Sequence, residues 1–305
     1  MFINVTVQVV ILFILILVGV VLARAKILNE AACKGMTDVV LNIATPCVII
    51  KSFIREFDKD SLKTLLISFV IAIAAHLFFI IVSRLTIKDN DKAKEKVLLF
   101  GVVFANCGYM SLPLQQALLG DDGVFIASVY VAVFNVFMWS YGIAVMGGGN
   151  EKINVKKVVL NPGMIAVVIG VIIFLTSLPI PQVVAEPIGY FAALNTPLPM
   201  IIIGYYLTKS DIFKTFKDIK GIWAMTLRLV ILPLAALGIM YLCRVRGTML
   251  ISSAISVCSP IAAATTMFSA KYGADTEASA NLVSVSTLIS IITMPLIVTL
   301  AQIIS

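Results

Sequence analysis

Long apolar runs, separated by short polar connections, follow one another along the chain. Each run has about 20 residues or more, the length at which an α-helix crosses the hydrocarbon core of a bilayer. The pattern therefore predicts ten transmembrane helices. Their predicted ranges are 4–24, 31–53, 62–84, 94–119, 123–146, 158–177, 183–207, 217–243, 247–271 and 276–301.

The composition indicates the same class. Of the 305 residues 60% are hydrophobic and 13% are charged, and the mean hydropathy is +1.07. Soluble domains are nearer to half apolar and a quarter charged. These values exclude an ordinary soluble domain and predict an all-α integral membrane protein.

The net charge of +7 does not indicate nucleic-acid binding, because the basic residues are scattered among short loops. If both termini lie outside the cell, sixteen Lys and Arg residues fall in cytoplasmic connections and six in external ones. This bias is typical of the preference of basic residues for cytoplasmic loops. It predicts a multi-pass protein of the inner or plasma membrane with extracellular or periplasmic termini.

Two short motifs recur at one offset. Asn-x-x-x-Pro occupies 42–46 and again 195–199, and Gly-x-Asp occupies 120–122 and 273–275, in both cases 153 residues apart. Five helices per repeat is an odd number, so the second copy enters the membrane upside down. Inverted repeats of this kind are typical of secondary transporters.

The repeats divide the chain into two predicted units. The first five-helix repeat covers 1–150 and the second, inverted repeat covers 151–305, with the boundary in the glycine-rich and charged segment 147–157.

Prolines interrupt the predicted fourth and ninth helices. The segments 106–113 and 258–266 each combine a proline with small and polar residues near the middle of the run. A kinked packing helix is one interpretation. The other is a pair of discontinuous helices that cross at the midplane, where each second half offers free N–H groups and a positive dipole end to an anion. The candidate substrate-binding residues here are Asn106, Cys107, Gly108, Pro113, Ser259, Pro260, Thr265 and Thr266.

Three further asparagines lie within apolar runs. Asn42 and Asn195 either line the same cavity or satisfy carbonyl groups freed by their nearby prolines. Asn135 in the fifth helix is either a cavity residue or a hydrogen-bonding contact between helices.

The spans also contain two basic residues at almost equivalent places in the repeats. Arg228 either attracts the substrate anion, supports the crossing helices, or extends along the helix towards the cytoplasmic surface. His76 is the only histidine, and a packing role is favoured over proton transfer.

No Asp or Glu is expected deep in a predicted span, which disfavours exchange through a buried carboxylate. The sequence contains no HExxH, GxSxG or GxxxxGK[ST] motif, so we expect neither an enzyme nor a nucleotide or metal cofactor. The five cysteines show no CxxC spacing. A metal site is therefore not expected.

The run NCGYMSLPLQQALLG resembles the fourth-helix signature of the auxin efflux carrier family. The stretch from Cys258 to Leu296, which begins CSPIAAATTMF, resembles the last two helices of the same family. The resemblance extends over essentially the whole chain. Ser111 replaces the glycine that usually stands at this place in the family signature.

The resemblance implies a bile-acid-symporter-like architecture, with a scaffold domain, a transport domain and an elevator-like movement. It implies Asn106 as a binding residue and Pro113 and Pro260 as crossover prolines. The short connection 147–157 favours a bacterial-type member, for which malonate, malate or related acids are expected, with an auxin-like acid as a further candidate. A homodimer is also implied, since elevator carriers commonly dimerise through their scaffold.

The sequence therefore predicts a secondary transporter of a small organic anion in a lipid bilayer, coupled to Na⁺ or H⁺ or to neither. One alternative is a sodium-coupled organic-anion symporter. The other is a membrane sensor or partner subunit that binds an acid without moving it.

Overall fold

The computed structural model describes residues 2–148, 156 and 159–305. Of the predicted boundary segment 147–157, residues 149–155 and 157 lie outside this part. The described residues form helices and no strand. The α-helices are α1 (Phe2–Arg24), α2 (Glu30–Val39), α3 (Thr45–Phe53), α4 (Lys59–Thr86), α5 (Lys92–Val103), α6 (Leu112–Phe137), α7 (Ile143–Met146), α8 (Pro162–Thr176), α9 (Gln182–Ala193), α10 (Pro197–Leu207), α11 (Ile212–Lys217), α12 (Ile219–Thr226), α13 (Leu232–Leu242), α14 (Gly247–Cys258), α15 (Ala264–Tyr272) and α16 (Thr276–Ile304).

Four of the junctions between these helices are single π-helical turns. They lie at Val40–Ala44, Cys107–Ser111, Met138–Gly142 and Leu227–Ile231. A π turn keeps the chain helical while shifting the register of its side chains. The helix predicted over 31–53 is therefore one rod, Glu30–Phe53, built from α2, a π turn and α3.

Seven helical stretches in the described part of the chain are long and apolar enough to cross a bilayer. They are Val5–Arg24, Glu30–Phe53, Lys59–Thr86, Cys107–Met146, Gln182–Leu207, Ile219–Leu242 and Thr276–Ile304. Pro162–Thr176 and Gly247–Cys258 are shorter apolar helices. The protein is thus an all-helical integral membrane protein.

Gly120 divides the longest of these stretches. As a straight helix, the 40 residues of Cys107–Met146 would be twice as long as the roughly 30 Å hydrocarbon core. Gly120 has φ 63° and ψ −150°, a backbone conformation that is strained for any residue with a side chain. Gly273, at the end of α15, also has a positive φ of 65°. These are the two glycines that the sequence relates by the shared offset.

The largest helix contacts form two groups, and α1 with α16 and α3 with α6 also pack between the two groups. In the first group α1 packs against α10, and α3 packs against α8 and α9. In the second, α6 packs against α4 and α14, and α14 packs against α16. Within the first group, Gly19 and Gly204 let α1 and α10 approach closely, because a Cβ at Gly204 would overlap the carbonyl oxygen of Ile16.

Polar contacts assign the connections to two ends of the helix bundle. At one end Arg55 pairs with Asp122 at 2.7 Å, beside the N–H of Phe57, which donates to Ser177. The opposite end carries the pairs Lys94–Asp218 at 2.7 Å and Lys214–Glu277 at 2.6 Å, together with the Arg84–Tyr141 hydrogen bond.

Asp89 lies at the centre of the second end. Its side chain is only 9% exposed, and its carboxylate lies 3.3 Å from the ammonium of Lys220 and 4.0 Å from that of Lys94. Burial acts to raise the pKa of Asp89. The N–H of Asp91 and the two ammonium groups outweigh burial, so the pKa is lowered below its usual value.

Candidate functional site

Two helices end abruptly in the middle of the molecule. The helix predicted over 94–119 stops at Val103, and the helix predicted over 247–271 stops at Cys258. Helical structure resumes only at Cys107 and Ala264. Pro260 explains the break after Cys258, because proline has no N–H and forces the residue before it into an extended conformation.

The two breaks lie against each other as a short antiparallel pair. The N–H of Asn106 donates to the carbonyl of Pro260 at 2.8 Å, and the N–H of Ala262 donates to the carbonyl of Phe104 at 3.0 Å. These bonds satisfy backbone groups that neither helix can satisfy at its break. Two carboxyl ends and two amino ends of helices therefore meet at one crossing.

Pro113 does not lie at this crossing pair. It follows the break by several residues and stands at the second position of α6, in helical backbone. The π turn before it closes with a bond from the N–H of Leu112 to the carbonyl of Cys107. On this side the extended residues 104–106 make the break, and the proline stabilises the start of the helix that follows.

The amino ends at the crossing carry unused donors. Within the described residues, the backbone N–H groups of Gly108, Tyr109, Ala263 and Ala264 have no acceptor. Helix amino ends also carry a positive partial charge. An anion placed between the two ends would meet these groups without any change in the fold.

Two buried side chains at these ends also have unused polar atoms. The Nδ2 of Asn106 and the Oγ1 of Thr265 have no hydrogen-bond partner among the described residues, although the two side chains are 5% and 0% exposed. Buried polar atoms are normally satisfied. Beside them, a Cβ built on Gly108 meets nothing within 4 Å, so there is open space at this point. Cys107 is buried, and the hydroxyl of Ser259 already donates to the carbonyl of Ile255.

Arg228 binds the carboxyl ends of the two interrupted helices. Its Nε donates to the carbonyl of Ser259 at 3.1 Å and its Nη2 donates to that of Val257 at 2.7 Å. Its Nη1 lies 3.4 Å from the carbonyls of both Val102 and Val103. Carboxyl ends carry a negative partial charge. The guanidinium therefore neutralises two of them at once.

This placement decides between two of the roles that the sequence left open for Arg228. Its side chain is fully buried, so extension to the cytoplasmic surface is wrong. Support of the crossing is the role that its hydrogen bonds describe. The physical reason is that four backbone carbonyls lie within reach of the N–H donors of the guanidinium.

The asparagines near the other prolines lie in different environments. Asn195 is 2% exposed, and its Oδ1 accepts a hydrogen bond of 2.7 Å from the hydroxyl of Thr45. This bond joins the start of α3 to the turn before α10. Asn42 is exposed, and its amide donates to the backbone carbonyl of Asp38 on its own helix. Asn42 and Asn195 therefore form hydrogen bonds with different groups, and the structure gives no hydrogen bond between them among the described residues.

Asn135 and His76 are buried, and the side chain of each forms a hydrogen bond with a backbone carbonyl of its own helix. The amide of Asn135 donates to the carbonyl of Val131 at 2.9 Å and faces Gly163 on α8. His76 bonds the carbonyl of Ala72 through Nδ1, and its ring stacks on Phe137 with centroids 5.1 Å apart.

Sequence reasoning missed one charged group inside a span. Asp38 is eight residues into the stretch Glu30–Phe53, so the expectation that no carboxylate lies well inside a span is wrong for this residue. The signal was the four-residue spacing of Glu30, Lys34, Asp38 and Asn42 along this helix. No group of three or more His, Cys, Asp or Glu side chains that could hold a metal ion occurs in the described part of the chain.

A sequence model of the family described as membrane transport protein matches residues 4–298. The chain belongs to this family. It is the family of the auxin efflux carriers, so the resemblance of the two broken-helix segments is confirmed. The protein is a transporter of the membrane and not an enzyme.

Two relatives are transporters of archaea. An uncharacterized transporter of Methanothermobacter thermautotrophicus is 27% identical over 77% of this chain and 78% of its own length. The uncharacterized transporter MJ1031 of Methanocaldococcus jannaschii is 24% identical over 78% of this chain and 80% of its own length.

Proposed function

We propose that this protein is a secondary carrier that moves a small organic anion across the cell membrane by alternating access. The cargo class is a mono- or dicarboxylate such as malonate, malate or an auxin-like acid. The anion binds between the amino ends of the two helix halves that begin at Cys107 and Ala264, where the amides of Gly108 and Ala263 surround it.

One observation carries this proposal, namely the unpartnered Nδ2 of Asn106 and Oγ1 of Thr265 beside free backbone N–H groups. Such donors match a carboxylate, which has only acceptors. Each helix end contributes about 0.3–1 kcal/mol to anion binding, and up to ~2 kcal/mol in a partly buried site. The donors are neutral, so the cargo can also leave.

We further propose ten membrane crossings in two inverted repeats, 1–150 and 151–305. The support is the break in each repeat, the positive φ of Gly120 and Gly273, and the alternation of connections between the two ends of the bundle. In an elevator-type movement the first helix group, α1 to α3 with α8 to α10, acts as the scaffold and the second group carries the site. Both termini then lie outside, and two copies associate through the scaffold.

The first experiment measures the melting temperature of the purified protein with malonate, malate and indole-3-acetate, each in sodium and in potassium buffer. A ligand at a hundredfold excess over its Kd stabilises the folded state by about 2.7 kcal/mol. We expect a shift for at least one acid that is lost in Asn106→Ala. The matched control is Asn161→Ala, which removes the asparagine that caps α8 and leaves the crossing intact.

Uptake into proteoliposomes then separates the alternatives. A shift that requires sodium, together with sodium-dependent uptake, would identify a sodium-coupled symporter. Binding without movement would identify a sensor or partner subunit. If no acid shifted the melting temperature and none was taken up, the carboxylate assignment would be abandoned.

A further inference from the structure

Two ion pairs join the first helix group to the second at one end of the bundle. Arg55, just after α3, pairs with Asp122 of α6 at 2.7 Å, and the ammonium of Lys51 on α3 lies 3.4 Å from the carboxylate of Asp121. α3 belongs to the first group and α6 to the second, and the two helices pack on each other. The pairs therefore cross the boundary at which the proposed movement takes place.

The partners are held on their own sides of this boundary. The Nε of Arg55 donates to the carbonyl of Ser52 on α3 at 3.0 Å. The carboxylate of Asp121 accepts a hydrogen bond of 3.1 Å from the side-chain amide of Gln116 on α6. Gly120, with its positive φ, turns the chain directly before the two aspartates. A movement of one group relative to the other must therefore separate the charges.

Aromatic rings pack beside the pair of Arg55 and Asp122. The guanidinium lies 4.3 Å from the centroid of the Phe125 ring on α6. That ring packs against Phe53 of α3 and Phe174 of α8, with centroids 4.8 and 5.4 Å apart. All three phenylalanines are at most 2% exposed. The two groups are thus closed against each other at this end.

The opposite end of the bundle has a different arrangement of charges. Lys94 of α5 pairs with Asp218, directly before α12, and α5 packs against α4, α12 and α16 of the second group. Lys214 pairs with Glu277 and so joins the short connecting helix α11 to α16. Among the residues that the structure describes, no ion pair joins the two groups at this end.

The repeat shows that this difference between the ends is built into the sequence. The positions 153 residues after the two cations hold Gly204 and Thr208, which are uncharged. Asp275, the counterpart of Asp122, caps α16 by accepting from a backbone N–H of that helix at 2.9 Å. The second repeat therefore cannot form the same contacts, and the ion pairs favour closure at one end only.

The two pairs are exposed enough to break and form again. The side chains of Arg55 and Asp122 are 24% and 70% exposed, and those of Lys51 and Asp121 are 41% and 44% exposed. Exposed ion pairs contribute little to stability, because water solvates the charges once they separate. The fully buried guanidinium of Arg228 differs, since its separation from the carbonyls would leave a buried charge without partners.

We propose that the pairs Arg55–Asp122 and Lys51–Asp121 form a latch, which holds the two helix groups together at this end while the anion site is reached from the other end. The latch opens once in each transport cycle, and no covalent bond changes. This inference rests on the proposed function and adds the contact that closes one end. A static brace, by contrast, would allow transport with the two groups permanently joined.

The test joins the two sides of the latch covalently. Arg55→Cys is combined with Asp122→Cys in the full-length protein, and a bis-methanethiosulfonate reagent links the two thiols until a reductant is added. Before linking, the variant should exchange radiolabelled malonate, malate or indole-3-acetate in liposomes. We expect exchange to be lost after linking and to return after reduction. Lys51→Cys with Asp121→Cys supplies a second link across the same boundary and should behave in the same way.

Binding separates loss of movement from loss of folding. The linked protein should keep the melting-temperature shift caused by the acid, because the anion still reaches the crossing from the opposite end. The matched control is Lys94→Cys with Asp218→Cys, a pair of the same 2.7 Å distance within the second group, which should keep exchange when linked. Variants with one new cysteine control for reaction at Cys47 and Cys243, the native thiols that are not buried.

The outcomes separate the two proposals. If the wild type exchanges none of the three acids, the proposed function fails and this inference fails with it. If the wild type exchanges an acid and both linked latch variants still exchange it, the pairs are a static brace and only the inference is overturned. Folded latch variants that exchange no acid even before linking would show that the charges act in transport in another way, which would also overturn the latch.

Discussion

Replacing Arg228 with methionine removes the cation that holds the carboxyl ends of α5 and α14 together. The bonds to Ser259 and Val257 measure 3.1 and 2.7 Å. Each is a hydrogen bond from a charged donor and contributes about 1.5–3 kcal/mol. The two contacts of 3.4 Å to the carbonyls of α5 are long and add less. We therefore expect Arg228→Met to lower the free energy of unfolding by about 3–6 kcal/mol.

An apolar residue is not expected to compensate for this loss. Replacing a whole buried ion pair with apolar residues is often neutral, because both desolvation costs disappear together. Here only the cation is removed, and the carbonyls remain buried and unpaired. Arg228→Lys keeps the charge but not the fork of donors, so we expect an intermediate loss of about 1.5–3 kcal/mol.

The assay is titration of the purified protein with sodium dodecyl sulfate in mixed micelles, followed by fluorescence of its two tryptophans. Trp223 lies on α12, shortly before Arg228, and reports on this region. Arg24→Met at the exposed end of α1 is the control, with an expected change within about 0.5 kcal/mol. If Arg228→Met were no less stable than Arg24→Met, the role of Arg228 at the crossing would be refuted.

Three further changes test other parts of the structure. Gly204→Ala forces a Cβ into the carbonyl of Ile16, so we expect α1 to separate from α10 and the free energy of unfolding to fall by about 1–3 kcal/mol or more. Thr45→Val breaks the bond to Asn195 and leaves a buried acceptor, which should cost about 1–3 kcal/mol in the detergent titration. Asp89→Asn should destabilise the protein at neutral pH. Because the pKa of Asp89 is lowered in the folded state, the difference from wild type should be complete above the ordinary value of 3.8 and disappear as the pH falls below it, as melting curves across acid pH would show.

The sequence predicted the helical class and the places of the two interruptions, and the physical reason is local in each case. Apolar runs must be helical in a bilayer because no other open structure satisfies the backbone there. Pro260 marks its own break by its missing N–H. The break after Val103 is different. Pro113 indicated the correct segment of the sequence, but it lies in helical backbone after the break.

Contacts between distant residues could not be predicted in the same way. The four carbonyls bound by Arg228 belong to α5, to α14 and to Ser259 directly after α14, and the two segments lie far apart in the sequence. A pattern of single residues carries no information on which backbone groups are left free by a tertiary arrangement. The exposure of Asp38 could not be predicted either, because the four-residue spacing defines a helix face but not what lies opposite that face.

The crossing presents opposite partial charges on its two sides, and the chain supplies different partners to each. The carboxyl ends receive a permanent cation, Arg228, whose donors are directed at backbone carbonyls. In the part of the chain that the structure describes, the unpaired side-chain atoms at the amino ends belong to the neutral groups of Asn106 and Thr265. A full charge about 4 Å from a bound anion would hold it by about 4 kcal/mol at an effective dielectric constant of 20, which slows release roughly a thousandfold. Helix ends offer about 0.3–1 kcal/mol each. The cation thus stabilises the fold at the carboxyl ends of the crossing, and the neutral groups keep anion binding reversible at the amino ends, as the proposed carrier requires.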